Sequence, residues 1–266
     1  MPEGDALHQS FFPEAELERL NSAYESVGEF INKLAEPFLI RPYKTDKGRV
    51  NAHHGFVRRL SILKRSIETV FELIPPNLSE IPSRDVVGDA TIHLHAFVLN
   101  VFGAVDNLAW VWVSERGLKD AKDKPIPDTW VGLRPSNTLI RESFSEQFRT
   151  ELRELDAWFG YLIDFRDSLS HRIPLYIPPF VVINEHVEAY NKTERKAVEA
   201  LQHGDLNEHH RLNESLRKFA VFRPWMMHTL NEAKPAVVFH PQMLTDVHTL
   251  DVIGRGILRE LDSLRD

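Results

Sequence analysis

The chain has 266 residues, a net charge of −7 and a hydrophobic fraction of 42%, which is the composition of a folded globular protein. These values exclude an intrinsically disordered chain and a collagen-like repeat. The acidic balance argues against a protein that coats nucleic acid non-specifically. Because there is no cysteine, a thiolate nucleophile, a cysteine zinc site and an iron–sulfur centre are excluded.

Neither a signal peptide nor a membrane span is expected. Residues 1–20 carry several acidic side chains and no apolar segment. The most apolar stretch, residues 92–113, contains Asp106, which would be costly in a bilayer. This stretch therefore predicts a buried helix, and we expect a cytoplasmic protein.

The first helix is predicted to begin after Pro13, where acidic residues favour the amino end of the helix dipole. Apolar residues then recur at steps of three and four: Leu17, Leu20, Tyr24, Val27, Ile31 and Leu34. Pro37 is predicted to end this helix, and residues 39–51 are predicted to form a loop.

Two further helices follow from the same periodicity. An amphipathic stripe over residues 57–74 predicts a second helix, stopped by Pro75 and Pro76. The third helix is predicted over residues 86–116, ending before Gly117.

Residues 117–142 hold three prolines and are predicted to form a long loop. Ser143 and Glu146 have the spacing of a capping box and predict the start of a fourth helix. Its apolar face runs as far as Phe165, and Pro174 closes the segment, so the helix is predicted to end near His171.

The last third of the chain changes character. Residues 176–183 are β-branched and proline-flanked, which predicts a short strand. The charged stretch 184–218 predicts a solvated helical pair broken at Gly204-Asp205.

Two more strands are predicted over residues 225–230 and 236–239, around a turn at 231–235. A closing helix is predicted over about 243–264. The fold class predicted from these elements is mainly α, with a small β addition in the C-terminal third.

The sharpest local motif lies at the end of the fourth helix. Asp167 and His171 are four residues apart and share a helix face, and a long Arg166 side chain can reach that face. A histidine beside opposite charges suits proton transfer near neutral pH, and Arg166 with Arg172 can hold a phosphate. From spacing alone, a structural ion pair with a helix C-cap is the favoured interpretation of the same residues.

This motif resembles the mark of the HEPN superfamily, in which an arginine is followed after four to six residues by a histidine near a helix end. The match is Arg166-Asp167-Ser168-Leu169-Ser170-His171, with a polar residue directly after the arginine. The resemblance covers about residues 53–180, and the family's second and fourth main helices would correspond to Val86–Arg116 and Ser143–His171.

The resemblance implies an antiparallel helical bundle that pairs as a homodimer, with two motifs facing one cleft. Residues 1–180 would form the HEPN-like core with an N-terminal helix, and residues 181–266 would pack on the same domain. Many family members are metal-independent endoribonucleases with an antitoxin or another regulatory protein as partner, in toxin–antitoxin, phage-defence or stress systems. Others have lost catalysis and serve as binding or scaffold proteins for nucleotide, nucleic acid or a partner protein.

By this resemblance Arg166, Asp167 and His171 would be catalytic, in RNA cleavage by the ribose 2′-hydroxyl that gives a 2′,3′-cyclic phosphate. His171 would move protons, Arg166 would stabilise charge on phosphorus, and Asp167 would orient its partners. The sequence departs from the toxin branch paired with a nucleotidyltransferase antitoxin, because Ile173 stands where that branch has a tyrosine. This departure argues against modification by such an antitoxin.

The third helix carries a seam of small and polar residues at steps of three, four and seven: His93, Ala96, Asn100, Gly103, Asn107 and Ser114. One interpretation places the seam along the RNA cleft, with Asn100, Asp106, Asn107 and Arg172 binding substrate. The other interpretation, which the residue types favour, is buried polar packing that fixes helix register.

No metal or other cofactor is expected. His93 with His95, His53 with His54 and His209 with His210 are pairs whose spacing does not match a helical zinc site. The five tryptophans are interpreted as core or dimer contacts in preference to base-stacking platforms.

Overall fold

The structure, a computed structural model, describes residues 10–228 and 236–264. It is a helical bundle with two short two-stranded antiparallel sheets, which confirms the predicted mainly-α class with a small β addition near the C-terminus. The helices of the first half are α1 (Glu14–Ile40), α2 (Asp46–Val50), α3 (Arg58–Leu73) and α4 (Arg84–Arg116), with a π-helical stretch at Asn51–Val57 leading into α3.

The second half begins with α5 (Thr138–Glu142), α6 (Glu146–Glu154) and α7 (Asp156–His171). Strands β1 (Val181–Val182) and β2 (Ala220–Val221) pair around a hairpin of α8 (Val187–Gln202) and α9 (Leu206–Leu216). Strands β3 (Trp225–Met226) and β4 (Val237–Val238) pair before the closing helix α10 (Phe239–Asp262). The helical pair and its break at Gly204, whose φ is +76°, are as predicted, whereas the predicted turn at 231–235 lies outside the described residues.

Helix α4 is the centre of the bundle, with α3, α7 and α10 packed against it. Among the described helices it alone is long and apolar enough to cross a membrane, and 61% of its most apolar window is buried inside the protein. This burial agrees with the predicted core helix. The end at Gly117 is also as predicted, because that residue adopts the left-handed conformation (φ +65°) that glycine accepts without strain.

Two helix boundaries and one predicted loop differ from the prediction. Helix α1 continues past Pro37 to Ile40, since a proline in the last turn removes one hydrogen bond while the buried Phe38 holds that turn in the core. The predicted 39–51 loop contains α2, whose N-cap hydroxyl on Thr45 accepts from the Gly48 amide at 3.0 Å. Helix α10 begins at Phe239 in place of residue 243, with Pro241 tolerated in its first turn.

The predicted fourth helix is two helices, α6 and α7, and the predicted N-cap at Ser143 is wrong. Ser145 caps α6 by accepting from the Phe148 amide at 3.3 Å, whereas the Ser143 hydroxyl accepts from the Trp112 indole at 2.8 Å. Leu155 separates α6 from α7. The guanidinium of Arg141 binds at this break, to the Leu152 carbonyl at 3.4 Å and the Asp156 carboxylate at 2.7 Å, and so replaces contacts that a continuous helix would make.

A buried carboxyl ties α10 to the start of α7. Oδ1 of Asp246 accepts from the Trp158 indole at 2.8 Å and from the Gln242 amide at 2.7 Å. Burial raises the pKa of Asp246 from 3.8 to about 7, and these hydrogen bonds offset only part of that rise. The Asp246 carboxyl ionises at lower pH in the unfolded chain than in the folded protein. The free energy of unfolding therefore falls as the pH rises from about 4 to about 7.

We expect Asp246→Asn to remove this pH dependence, since asparagine keeps the Oδ1 acceptor and carries no charge. The difference in the free energy of unfolding between pH 5.5 and pH 7 should fall by about 1.5 kcal/mol, measured by urea denaturation. Asp251→Asn is the matched control, because that carboxylate pairs with Arg255 on the surface of α10. An unchanged slope in Asp246→Asn would contradict the assignment.

Candidate functional site

The predicted catalytic residues lie on the last turns of α7. Nη1 of Arg166 donates to Oδ1 of Asp167 at 2.7 Å, and both side chains are about one-third exposed. The His171 side chain is exposed, and within the described parts of the chain it makes no hydrogen bond or ion pair. The Asp167 carboxylate is therefore bonded to Arg166, and no side-chain hydrogen bond or ion pair joins it to His171.

Arg172 follows the helix and is half exposed. Its guanidinium lies 3.7 Å from the Asp164 carboxylate, a long ion pair that contributes little on its own. The same carboxylate lies 3.3 Å from Nε2 of the buried His228. Asp164 therefore joins the end of α7 to the segment before β4.

The Arg166 side chain crosses from α7 onto α4. Its guanidinium carbon lies 4.6 Å from the centre of the Phe102 ring, a cation–π geometry. One turn along α4, burial raises the pKa of Asp106 to about 6, and the positive charges of Arg134, Arg166 and Arg59 act to lower it. We call Arg59, Arg134 and Arg166 the arginine cluster; they come from three different elements, and the charge of each lowers the pKa of Asp106.

Arg59 of α3 is hydrogen-bonded to the two asparagines of the α4 seam. Its Nη1 donates to Oδ1 of Asn100 and its Nε donates to Oδ1 of Asn107, both at 2.9 Å. Gly103 makes this possible, because a Cβ atom at that position would overlap the Arg59 guanidinium. Asn107 also donates to Oδ1 of Asn51 at 3.0 Å.

These bonds are the polar packing that the sequence offered as one of two interpretations of the seam. The carbonyl oxygens of Asn100 and Asn107 are occupied by Arg59, so these side chains hold the arginine in place. The positive charge of Arg166 lowers the pKa of Asp106, next to this seam on α4. A substrate contact by either asparagine would require Arg59 to move.

Arg134 enters from the long segment between α4 and α5. Its guanidinium carbon lies 5.9 Å from the Phe102 ring centre, and its Nε donates to Oδ1 of Asn137 at 3.2 Å. Arg134 and Arg166 thus approach the same Phe102 ring, and Arg59 packs against Gly103, the next residue of α4. The planar donors of such guanidinium groups suit a phosphate group.

Within the described residues no group of three or more histidines, aspartates and glutamates is placed to hold a metal ion. The described side chains of this region include an exposed imidazole at the end of α7 and guanidinium groups packed on α4. An imidazole can transfer protons near neutral pH, and guanidinium groups are suited to binding phosphate.

Three residues that shape this site were not predicted from the sequence: Arg59, Arg134 and Phe102. Each comes from a different element, and their approach depends on the tertiary packing of α3 and of the 117–137 segment against α4. One signal was present, since Gly103 lies between Asn100 and Asn107 on one helix seam. A glycine flanked by amides at helical spacing leaves room for a long polar side chain from a neighbouring helix.

Comparison of the chain with protein-family models, with curated proteins and with solved structures found no match. The resemblance to HEPN proteins therefore depends on the motif Arg166 to His171 and on the helix that carries it, and it stays a prediction.

Proposed function

We propose that this chain is a HEPN-like, metal-independent endoribonuclease that acts at the end of α7. The observation that carries the proposal is the arrangement around Arg166. This arginine is fixed by Asp167 and Phe102 inside a three-arginine cluster, and the exposed His171 follows it on the same helix end.

In the proposed reaction the ribose 2′-hydroxyl attacks the adjacent phosphorus. The P–O2′ bond forms and the P–O5′ bond breaks, which yields a 2′,3′-cyclic phosphate and a 5′-hydroxyl. His171 moves a proton between these oxygens, and Arg166 stabilises the negative charge that develops on the phosphoryl oxygens. Asp167 positions Arg166, the role that its 2.7 Å hydrogen bond supports.

A non-catalytic HEPN-like protein that binds RNA or nucleotide is the second candidate. It is favoured by the separation of Asp167 from His171, because a catalytic histidine is commonly oriented by a third group. The arginine cluster would then bind a phosphate without cleaving it. The two candidates share the ligand and differ only in turnover.

We further propose that two copies pair through the open face of α4. Ile92 and Leu99 are 64% and 42% exposed, and their spacing of seven places them on one helix face, in line with Asp106. Ile62 of α3 is also exposed. A second copy seated there would cover apolar side chains and bring two arginine clusters together.

Leu99→Asp is expected to convert a dimer to a monomer in sedimentation velocity, since it buries a charge at the contact. Leu201→Asp, at an exposed leucine on the α8–α9 hairpin, is the control and should leave the dimer intact. A wild-type monomer at micromolar concentration would refute the pairing.

The net charge of −7 is consistent with a selective nuclease, or one that works with a regulatory protein such as an antitoxin, in the cytoplasm. Because the net negative charge of the protein repels RNA, the attraction for the RNA phosphates has to come from the arginine cluster.

End-labelled single-stranded RNA incubated with the wild-type protein in EDTA tests the proposal. We expect cleavage, with cyclic phosphate and 5′-hydroxyl ends. Binding without cleavage, measured by fluorescence anisotropy, would support the second candidate. Products with 3′-hydroxyl and 5′-phosphate ends would contradict the proposed mechanism.

A further inference from the structure

Trp130 is held in an exposed position by its own backbone. It ends a short 3₁₀ turn, its amide donates to the Pro127 carbonyl at 2.8 Å, and 57% of the residue is exposed. Because it is exposed, Trp130 is not one of the core contacts that the sequence predicted as one of two roles for the tryptophans. Trp112, by comparison, is buried, and Trp158 is bonded to Asp246.

A single buried amide positions both Trp130 and Arg134. Asn137 is only 8% exposed, and its Nδ2 donates to the Trp130 carbonyl at 2.8 Å. Its Oδ1 accepts from the Arg134 amide at 3.1 Å and from the Arg134 Nε at 3.2 Å. Asn137 therefore holds the backbone of Trp130 and the guanidinium of Arg134 close together.

These three side chains line an open cavity of about 580 Å³. Ile126 and Leu139 add apolar surface, and Thr129, Ser136 and Thr138 add hydroxyl groups. The volume lies within the range of small-molecule sites, and the lining combines one aromatic surface with a few polar groups.

The cavity adjoins the arginine cluster, because Arg134 belongs to both. On its far side the Arg134 guanidinium approaches Phe102, the ring that Arg166 also covers. A nucleotide whose base lay on Trp130 would therefore have its phosphate near Arg134 and within reach of the cluster.

We propose that this cavity is a nucleobase subsite, in which one base of a single-stranded RNA stacks on Trp130 while Arg134 pairs with the attached phosphate. This inference rests on the proposed function for the choice of RNA as ligand. In this proposal the 117–137 segment places the RNA strand beside Arg166. Stacking accepts any base, since every base has a π-face.

The test measures binding of a fluorescein-labelled eight-nucleotide RNA by anisotropy, in a His171→Ala background that prevents turnover. Trp130→Ala should weaken binding about 5- to 150-fold, and Trp130→Phe should restore most of the affinity. Leu206→Ala, at an exposed apolar residue of the α8–α9 hairpin, is the control and should bind normally. Equal thermal midpoints of the variants would show that the fold is intact.

Competition identifies what the subsite recognises. Adenosine 5′-monophosphate should displace the labelled RNA at lower concentration than ribose 5-phosphate does, and Trp130→Ala should abolish this difference. Equal competition by the two compounds, or RNA binding within twofold of the parent in Trp130→Ala, would overturn the proposal. A change of Trp130→Ala from dimer to monomer with unchanged RNA binding would overturn it too, because Trp130 would then be a subunit contact.

The two proposals fail separately. Trp130-dependent binding by a wild-type protein that cleaves no RNA would refute the nuclease and support the subsite. Normal cleavage with binding that is independent of Trp130 would refute the subsite and support the nuclease.

Discussion

Replacing His171 with alanine is expected to slow RNA cleavage about 10²- to 10⁴-fold, the loss typical for removal of a general acid or base. The side chain is exposed and makes no hydrogen bond or ion pair with the described residues, so its removal should not change the stability of the fold. The rate constant for cleavage of an end-labelled RNA at saturating protein measures this effect.

His203→Ala is the matched control for this measurement. His203 is an equally exposed histidine at the end of a helix, α8, and belongs to the hairpin rather than to the site. Its variant should cleave at the wild-type rate. Equal rates in all three proteins would place the activity elsewhere, and parallel losses in both variants would indicate a general defect.

Replacing Arg141 with methionine is expected to lower the free energy of unfolding by about 3 kcal/mol. The Arg141 Nε donates to the Leu133 carbonyl at 2.7 Å, and its Nη1 pairs with Asp156 at 2.7 Å. Methionine fills a similar volume but leaves a buried carbonyl without a donor. The partial exposure of Asp156 keeps the expected cost below that of a fully buried pair.

Chemical denaturation compares this variant with Arg153→Met. Arg153 lies on the surface of α6 and pairs with Glu146 at 2.8 Å, so its replacement should cost less than about 1 kcal/mol. If the two variants lost equal stability, Arg141 would not be the residue that fastens the 117–137 segment to the start of α7.

The parts of the fold that sequence predicted are those determined locally. Gly117 and Gly204 both adopt positive φ values, so each terminates a helix regardless of its surroundings. The apolar spacing of α3 and α4 likewise reports the face that each helix buries. These features need no knowledge of a neighbouring element.

The errors came from long-range contacts. Arg141 stabilises the break between α6 and α7, whereas the hydrophobic periodicity predicts one continuous helix there. Ser143 has a capping-box spacing, yet its hydroxyl is bonded to Trp112 and Ser145 takes the cap. Glu260 of α10 binds both the amide and the hydroxyl of Ser145, which a local pattern could not reveal.

In the candidate site, too, the local motif was predicted from the sequence and the long-range contacts were not. Arg166, Asp167 and His171 form a contiguous motif on one helix end, so their proximity follows from sequence. Arg59 and Arg134 approach α4 only through packing of distant segments, and the polar seam of α4 does not indicate which arginine binds its asparagines. The bond from the buried Asn137 to the Trp130 carbonyl, seven residues away, was likewise not predicted from the sequence.

The most direct test of the central claim uses two RNAs that differ in one oxygen atom. The first is an all-ribose RNA that the protein cleaves at a mapped position. The second carries a 2′-deoxyribose only at the nucleotide whose 2′-hydroxyl would attack. We predict that cleavage at that position disappears in the second RNA, because its nucleophile is absent. Cleavage of both RNAs at the same position and rate would contradict the mechanism proposed for Arg166 and His171.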